Sequence, residues 1–307
     1  MLPDTGPYPL KLKTRVFPKV WGSERWHLAD ISATSASGAG GQGVHSVIAN
    51  GVLSGRTLRQ ADTDLDLGLA DGGGPYPLIL KTLTATEHLS VQVHPSPDYA
   101  AAHPGVAVKH ECWQITDAAP GAVLYLGLKP GTTAEAYAEA VRSGAVVPLL
   151  NQVTPEVGDT YTLPSGLVHA LGPGLTVFEV QTASDTTFRV HDWRELYPAR
   201  PEREMHVEQA IAATIVDAVP THVPAGDRFR SVTPYYKMEQ LYLDQRLRFS
   251  FREGTAVYVR SGQGTWDTGD KVRPGDTWLI PAGITGVLRA GPRTGMHMWF
   301  VTLPLRV

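Results

Sequence analysis

Apolar residues in this chain fall mostly into short runs, and several alternate with polar positions. Leu89–His94 reads Leu-Ser-Val-Gln-Val-His, a period of two that predicts a strand with Val91 and Val93 on one face and Gln92 and His94 on the other. Leu78–Leu83, Glu111–Ile115, Ala122–Leu126, Thr160–Leu163, Thr176–Gln181 and Thr186–Val190 carry similar strand signals. Gly and Pro, 31 and 24 residues, punctuate these runs, so the pattern predicts many short strands joined by turns. Helical signals are few. Thr133–Arg142 is filled with Ala and Glu, and Thr132 or Thr133 stands ready to cap it. Residues 203–216 predict a second helix and residues 44–53 a short one. Residues 33–43 read as a Gly-rich loop and residues 61–75 as an acidic one. Beyond Pro220–Pro224 the chain is β-like to its end, which suggests a boundary near 215–230.

Comparing the chain with itself changes this picture most. Residues 158–174 (GDTYTLPSGLVHALGPG) and 275–291 (GDTWLIPAGITGVLRAG) share seven identities in seventeen positions without a gap, enough to imply two similar β-modules. Each copy turns at Gly-Asp, runs through an apolar strand, turns again at Pro-x-Gly and starts another strand. The first copy has the spacing Gly-x5-Pro-x-Gly-x2-His, which resembles the second motif of the cupins, where that histidine binds a metal inside a β-barrel. The second copy has Gly286 where the first has His169. The expected fold is therefore mainly β: two cupin modules of the jelly-roll type with a few short helices. A metal-binding module would span 1–220, and a cupin-like module without the metal histidine 221–307.

Bulk properties exclude some classes. A formal net charge of −3 gives no basic excess of the kind nucleic-acid binders carry. No apolar run reaches the ~18 residues of a membrane span, and MLPDTGPYPLKLK lacks the pattern of a signal peptide. The single cysteine, Cys112, cannot form an internal disulfide, which suits a reducing cytoplasm. The number of copies in the assembly stays open.

Candidate chemistry gathers in the first module. Gln92 and His94 share a strand face, Glu111 follows with Lys109 on its own face, and His169 is the fourth candidate ligand. Two imidazoles, a carboxylate and an amide oxygen could hold Zn²⁺ or a similar ion with a position open for substrate, although Gln is an unusual zinc ligand. Lys81 and Lys109 lie in apolar, β-prone surroundings, where an unpaired lysine is costly. His27, His45, His88, His103, His206, His222 and His297 show no partner pattern and read as surface or packing residues. Gly38–Gly43 fits GxGxxG but follows no apolar strand, and Asp62-x-Asp64-x-Asp66 begins like a calcium loop but has Leu67 where glycine is required.

In order, Gln92-Val93-His94-Pro95, Lys109-x-Glu111-x-Trp113, Gly166-x-x-His169-Ala170 and Glu179-x-Gln181-x-x-Ser184-Asp185-x-Thr187-x-Arg189-x-x-Asp192-Trp193 resemble type I mannose-6-phosphate isomerases in their short bacterial form. The resemblance runs from about Trp21 to Glu208. It implies one zinc ion per chain on Gln92, His94, Glu111 and His169, a catalytic Arg189, and active-site lysines Lys81 and Lys109. It also implies a phosphorylated hexose as substrate, interconverted between mannose 6-phosphate and fructose 6-phosphate through a cis-enediol. The general base is open among Lys109, Lys81, Asp185 and a metal-bound water. The chain departs from the family pattern at His110, Leu167, Phe188 and His191. An iron oxygenase using His94, Glu111 and His169, or a non-catalytic sugar-phosphate sensor, are the rival readings.

Overall fold

The computed structural model describes residues 7–32, 43–65, 67, 69, 74–226, 230–292 and 295–304. Most of the predicted Gly-rich loop, including Gly38–Gln42, and much of the acidic loop lie outside the described residues.

Four main sheets form two modules. In the first, a seven-stranded sheet runs in the order Thr221–Val223, Thr160–Leu163, Glu111–Ala118, Leu175–Thr182, Leu78–Ala85, Gly22–Leu28 and Arg15–Lys19. It faces a five-stranded sheet ordered Leu150–Val153, Leu124–Leu128, His169–Leu171, Val91–Val93 and Phe188–His191. Trp21, Leu83, Leu89, Trp113, Ile115, Leu124, Leu126, Leu171 and Val177 fill the space between them. In the second module, a six-stranded sheet containing Thr255–Ser261, Thr277–Ile280, Met296–Thr302 and Lys237–Leu243 faces a four-stranded one containing Arg246–Ser250 and Thr285–Ala290. Every pairing between named strands is antiparallel, as the alternating patterns imply.

The modules do not divide at residue 220 strand for strand. Leu10–Leu12 pairs with Thr277–Ile280 and so completes the sheet of the C-terminal module. Thr221–Val223 pairs with Thr160–Leu163 in the first module. Between the modules, Leu78, Leu80, Cys112, Phe178 and Val180 pack on Tyr236, Met238, Ala256, Leu279, Trp299 and Val301. The seven-stranded sheet is thus apolar on its outer face too, because a second sheet covers it.

The sequence repeat is a repeat of structure. Gly158 and Gly275 both adopt positive φ, 101° and 84°. Asp159 Oδ2 accepts the backbone N–H of Glu156 at 2.8 Å, and Asp276 Oδ2 accepts that of Arg273 at 2.9 Å. The equivalent carboxylates therefore close equivalent turns before equivalent strands.

Local predictions fare unevenly. The helix Ala134–Arg142 is capped by Thr133, whose side chain accepts from Ala136 N at 3.2 Å. The second helix is shorter than expected, Val207–Ala213. Residues 44–53 are not helical through their length: Val44–His45 is a strand and only Gly51–Leu53 forms a 3-10 turn. Burial there alternates from Val44 to Ile48, and Asn50-Gly51 then turns the chain. A helix at Leu58–Leu65 occupies part of the expected acidic loop. Thr57 and Gln60 cap it reciprocally, Gln60 N donating to Thr57 Oγ1 at 3.2 Å and Thr57 N to Gln60 Oε1 at 3.0 Å. No helix among the described residues is long and apolar enough to cross a membrane.

Candidate functional site

The interior face of the first barrel changes character along its strands. Leu175 and Val177 are followed on the same face by Glu179; Leu83 is preceded by Lys81; Ile115 and Trp113 lead back to Glu111. Register aligns these changes, for Glu179 lies opposite Lys81 on one side and Trp113 on the other, and Gln181 lies opposite Glu111. One end of the barrel is therefore an apolar plug and the other a polar cup. A cavity of about 610 Å³ opens at the cup.

The five-stranded sheet supplies the facing wall. Gln92 stands opposite His169 on one neighbour and Arg189 on the other. Val91 and Val93 point outward and pack under the helices with Tyr137, Val141 and Ala210. This is the alternation that the period of two predicted. His94, just beyond the strand, completes the set.

His94, Glu111 and His169 offer ligand atoms that lie within 4.8 Å of one another, and all three residues are buried. Each imidazole Nδ1 faces a backbone carbonyl: His94 donates to Thr186 O at 2.9 Å and His169 to Leu167 O at 2.8 Å. A carbonyl only accepts, so Nδ1 carries the proton and Nε2 presents a lone pair. Those two Nε2 atoms converge on the Glu111 carboxylate, His94 at 3.2 Å from Oε1 and His169 at 3.4 Å from Oε2. Buried Oε2 accepts no hydrogen bond among the described residues. The Gln92 amide sits 3.3 Å from His169 Nε2, and turning the amide over puts its oxygen there.

This set fits a divalent cation. Bonds of about 2.1 Å to a tetrahedral ion separate its ligands by about 3.4 Å. The separations of 3.2 Å from His94 Nε2 to Glu111 Oε1, 3.4 Å from His169 Nε2 to Oε2 and 3.3 Å from the Gln92 amide to His169 Nε2 are of that order, and the His and Glu ligand atoms all lie within 4.8 Å of one another. Burial, with the Lys109 charge, pushes the His94 pKa down to about 3, and burial lowers His169 as well. Both rings are therefore kept neutral. Burial alone would raise Glu111, but Lys109 and the two imidazoles outweigh it and hold the carboxyl well below its usual range.

The cations around the cup are differently engaged. Lys109 donates to Glu111 Oε1 at 2.8 Å and to His94 Nε2 at 3.1 Å. Lys81 pairs with Glu179 Oε2 at 3.0 Å and lies 5.0 Å from the centre of the Trp26 ring. Desolvation opposes its charge, but Glu179, Glu24 and Glu111 together raise its pKa, so it stays an ammonium. Arg189 lines the cavity and donates from Nη1 to Glu204 O at 2.5 Å. Asp185 lines the same wall.

Every residue predicted for the site thus faces the cup or lies buried against it, and further residues not predicted for it also line the cavity, Glu24, Trp26, Arg203 and His206 among them. Glu24 and Trp26 share a face of Gly22–Leu28, joined by a 2.6 Å bond from Trp26 Nε1 to Glu24 Oε2; their period-two spacing was the available signal. Arg203 reaches the cavity while paired with Asp192, and His206 accepts the backbone N–H of Arg189 at 3.1 Å. No local pattern marks these two, because loop folding brings them there. Of the departures from the family pattern, His110 hydrogen-bonds Tyr236 at 3.3 Å, between the modules, and His191 pairs with Glu195 at 2.8 Å.

The second barrel has no such cup among the described residues. A Cβ at Gly286 would lie 2.4 Å from Phe249 Cζ. Phe249, Trp266 and Trp278 pack edge to face in that core.

No protein-family model matches the chain. The sequence is 31% identical over 303 residues to the Bacillus subtilis mannose-6-phosphate isomerase ManA, covering 90% of this chain and 94% of that one. The fold is similar to that of the crystal structure of a mannose 6-phosphate isomerase from Bacillus subtilis, with a TM-score of 0.78 and 25% identity, covering 96% of this chain and 99% of that one. A zinc-bound mannose 6-phosphate isomerase shares the fold with a TM-score of 0.66 at 14% identity, covering 97% of this chain and 100% of that one. With its repeat, its barrel and a relative this similar over nearly its whole length, the chain belongs to the mannose-6-phosphate isomerase family.

Proposed function

We propose that this chain is a zinc-dependent aldose–ketose isomerase that interconverts mannose 6-phosphate and fructose 6-phosphate. The observation that carries the reading is the convergence of His94 Nε2, His169 Nε2 and the Glu111 carboxylate beneath an open cavity walled by Lys81, Lys109 and Arg189. Gln92, His94, Glu111 and His169 would hold one Zn²⁺. A bound ion supplies positive charge for sugar oxygens without redox chemistry.

The reaction moves one proton between C2 and C1 and a second between their oxygens, through a cis-enediol. Lys81 serves it as a fixed positive charge, since its carboxylate neighbours keep it protonated and unfit as a base. Lys109 and Asp185 are the remaining side chains proposed to take up and return the C–H proton. If His94 Nε2 held an ion, its single lone pair would no longer accept from Lys109, which would keep the Glu111 carboxylate as a partner at the edge of the cavity. Arg189 binds an anionic oxygen of the substrate by its guanidinium fork. A cytoplasmic location accompanies this reading, with Cys112 a buried free thiol.

The test is metal content and turnover together. Purified protein is expected to carry one zinc per chain, to convert mannose 6-phosphate to fructose 6-phosphate, to lose turnover on chelation and to regain it with zinc. His169→Ala should lose both metal and turnover. Tightly bound metal with no turnover of either sugar phosphate would overturn the substrate assignment.

A further inference from the structure

The sheet face that packs the modules together does not end where its apolar contacts end. Strand alternation places Met238, Gln240 and Tyr242 on one face of Lys237–Leu243. By the same rule Trp299 and His297 share a face, and register sets Gln240 opposite Trp299 and Tyr242 opposite His297. On the next strand, Tyr258 lies opposite Trp299. The register then slips between Val259 and Ser261, leaving Arg260 as the extra residue at a bulge, a device that re-aims a side chain. Met238 and Trp299 pack on the first module beside Phe178, whose ring stacks on Trp299 at 4.4 Å. Gln240, Tyr242, Arg260 and His297 continue past that contact and line a second cavity, of about 290 Å³.

The other wall belongs to loops, Val157-Gly158 and Ala225-Gly226. Asp159 ties these loops together. It accepts from Glu156 N at 2.8 Å, Ala225 N at 2.9 Å and Tyr161 OH at 3.2 Å, and His222 lies at 3.4 Å. This carboxylate is committed to building the wall and does not neutralise the cavity's cation.

That cation is Arg260. Its guanidinium lies 5.7 Å from the centre of the Trp299 ring and makes no ion pair or hydrogen bond among the described residues. The neighbouring groups are a phenol, an imidazole and an amide, with the Tyr242 and His297 rings 4.8 Å apart. The Gln240 amide uses only its oxygen, accepting from Gln114 Nε2 at a long 3.5 Å, so its own N–H groups remain to donate. A planar fork with donors beside it suits a phosphate group. Pockets for drug-sized ligands begin at about 300 Å³, so a cavity of this size selects something small.

We propose that Arg260, with His297, Tyr242 and Gln240, forms a second anion site at the junction of the modules, which takes a phosphate group, free or on a small phosphorylated metabolite. The site is separate from the metal cup and goes beyond the isomerase reading. Neither depends on the other.

The test reads the site directly. Zinc-loaded protein is titrated with inorganic phosphate, and in a second arm with glycerol 3-phosphate, while the imidazole resonances are followed by NMR. The His297 signal should shift saturably in wild type. In Arg260→Met, which keeps the stem over Trp299, the apparent affinity should fall at least tenfold, with Arg260→Lys intermediate. Any shift of His206, in the catalytic cavity, should persist in these variants, as should turnover without added phosphate. Saturation by inorganic phosphate alone would identify free phosphate as the ligand; tighter binding of the ester would identify a phosphorylated metabolite. An unresponsive His297 in wild type, or an equal response in Arg260→Met, would overturn the proposal. His297→Gln, read by calorimetric stoichiometry, gives an independent check should either Arg260 variant fold poorly.

Discussion

Replacing Lys81 by Met isolates the buried charge pair that walls the cup. Lys81 and Glu179 are 6% and 2% exposed and 3.0 Å apart, so Met leaves a carboxylate with neither water nor its main counterion. Removing one partner of such a pair typically costs about 3–5 kcal/mol. The chain can limit that penalty by protonating Glu179, whose pKa burial already raises against the pull of Lys81. From its ordinary value of 4.5, neutralising the carboxyl costs about 1.4 kcal/mol per pH unit. The ceiling is therefore about 4 kcal/mol at pH 7.5 and about 1.4 kcal/mol at pH 5.5. The lost cation–π contact with Trp26 adds about 0.5–2 kcal/mol at either pH. A carboxyl whose folded pKa is raised takes up a proton on folding, so the variant regains stability as pH falls toward 4.5. Urea unfolding of chelated wild type and Lys81→Met at the two pH values measures this. A deficit that shrinks by about 2–3 kcal/mol is expected. Adding Glu179→Gln should remove most of the pH dependence. A deficit that is the same at both pH values, or below about 1 kcal/mol at pH 7.5, would refute the reasoning.

Three further outcomes follow from the same geometry. Chelated wild type should lose stability as pH falls below 6.5, because buried His94, His27 and His110, lowered to about 3, 4 and 4, must stay neutral while the unfolded chain takes up protons. The slope should approach about 1.4 kcal/mol per pH unit for each ring, read by urea titration from pH 7 to 5. Gln92→Leu should weaken zinc binding without abolishing it, whereas Glu111→Gln, which removes the converging carboxylate charge, should reduce it far more; competition with a chromophoric chelator ranks the two. Gly286→His should create no second metal site, since its Cβ would meet Phe249 Cζ at 2.4 Å, and should destabilise by about 1–3 kcal/mol through overpacking, with metal stoichiometry unchanged.

Legibility followed the range of the interactions. Thr133 capping, the Gly158 and Gly275 turns and the alternation of Val91, Gln92 and Val93 are local, and each could be read within a few residues. The candidate ligand cluster of His94, Glu111 and His169, separated in the chain, could be anticipated only through the resemblance to a known family. Residues 44–53 misled because their apolar spacing fits both a helix and a strand, and pairing with Asp30–Ile31 decided between them. Arg203 and His206 were missed because their position depends on Asp192 and on the backbone of Arg189, which no periodicity encodes.

The sequence by itself determined the β-rich repeat, its turns and the residue types gathered as candidate ligands in its first half, since these depend on side-chain period, backbone sterics and donor chemistry. Tertiary structure alone decided which sheet each terminal strand joins, with Leu10–Leu12 lying across the chain against Thr277–Ile280. It decided which charges become pairs, setting Lys81 on Glu179 and Lys109 on Glu111 and His94. It also left Arg260 facing a cavity between the modules. The physical reason is that strand pairing and sheet packing join residues that no local pattern links, as they join Leu10 to Leu279, and burial and charge are set together only where those elements meet.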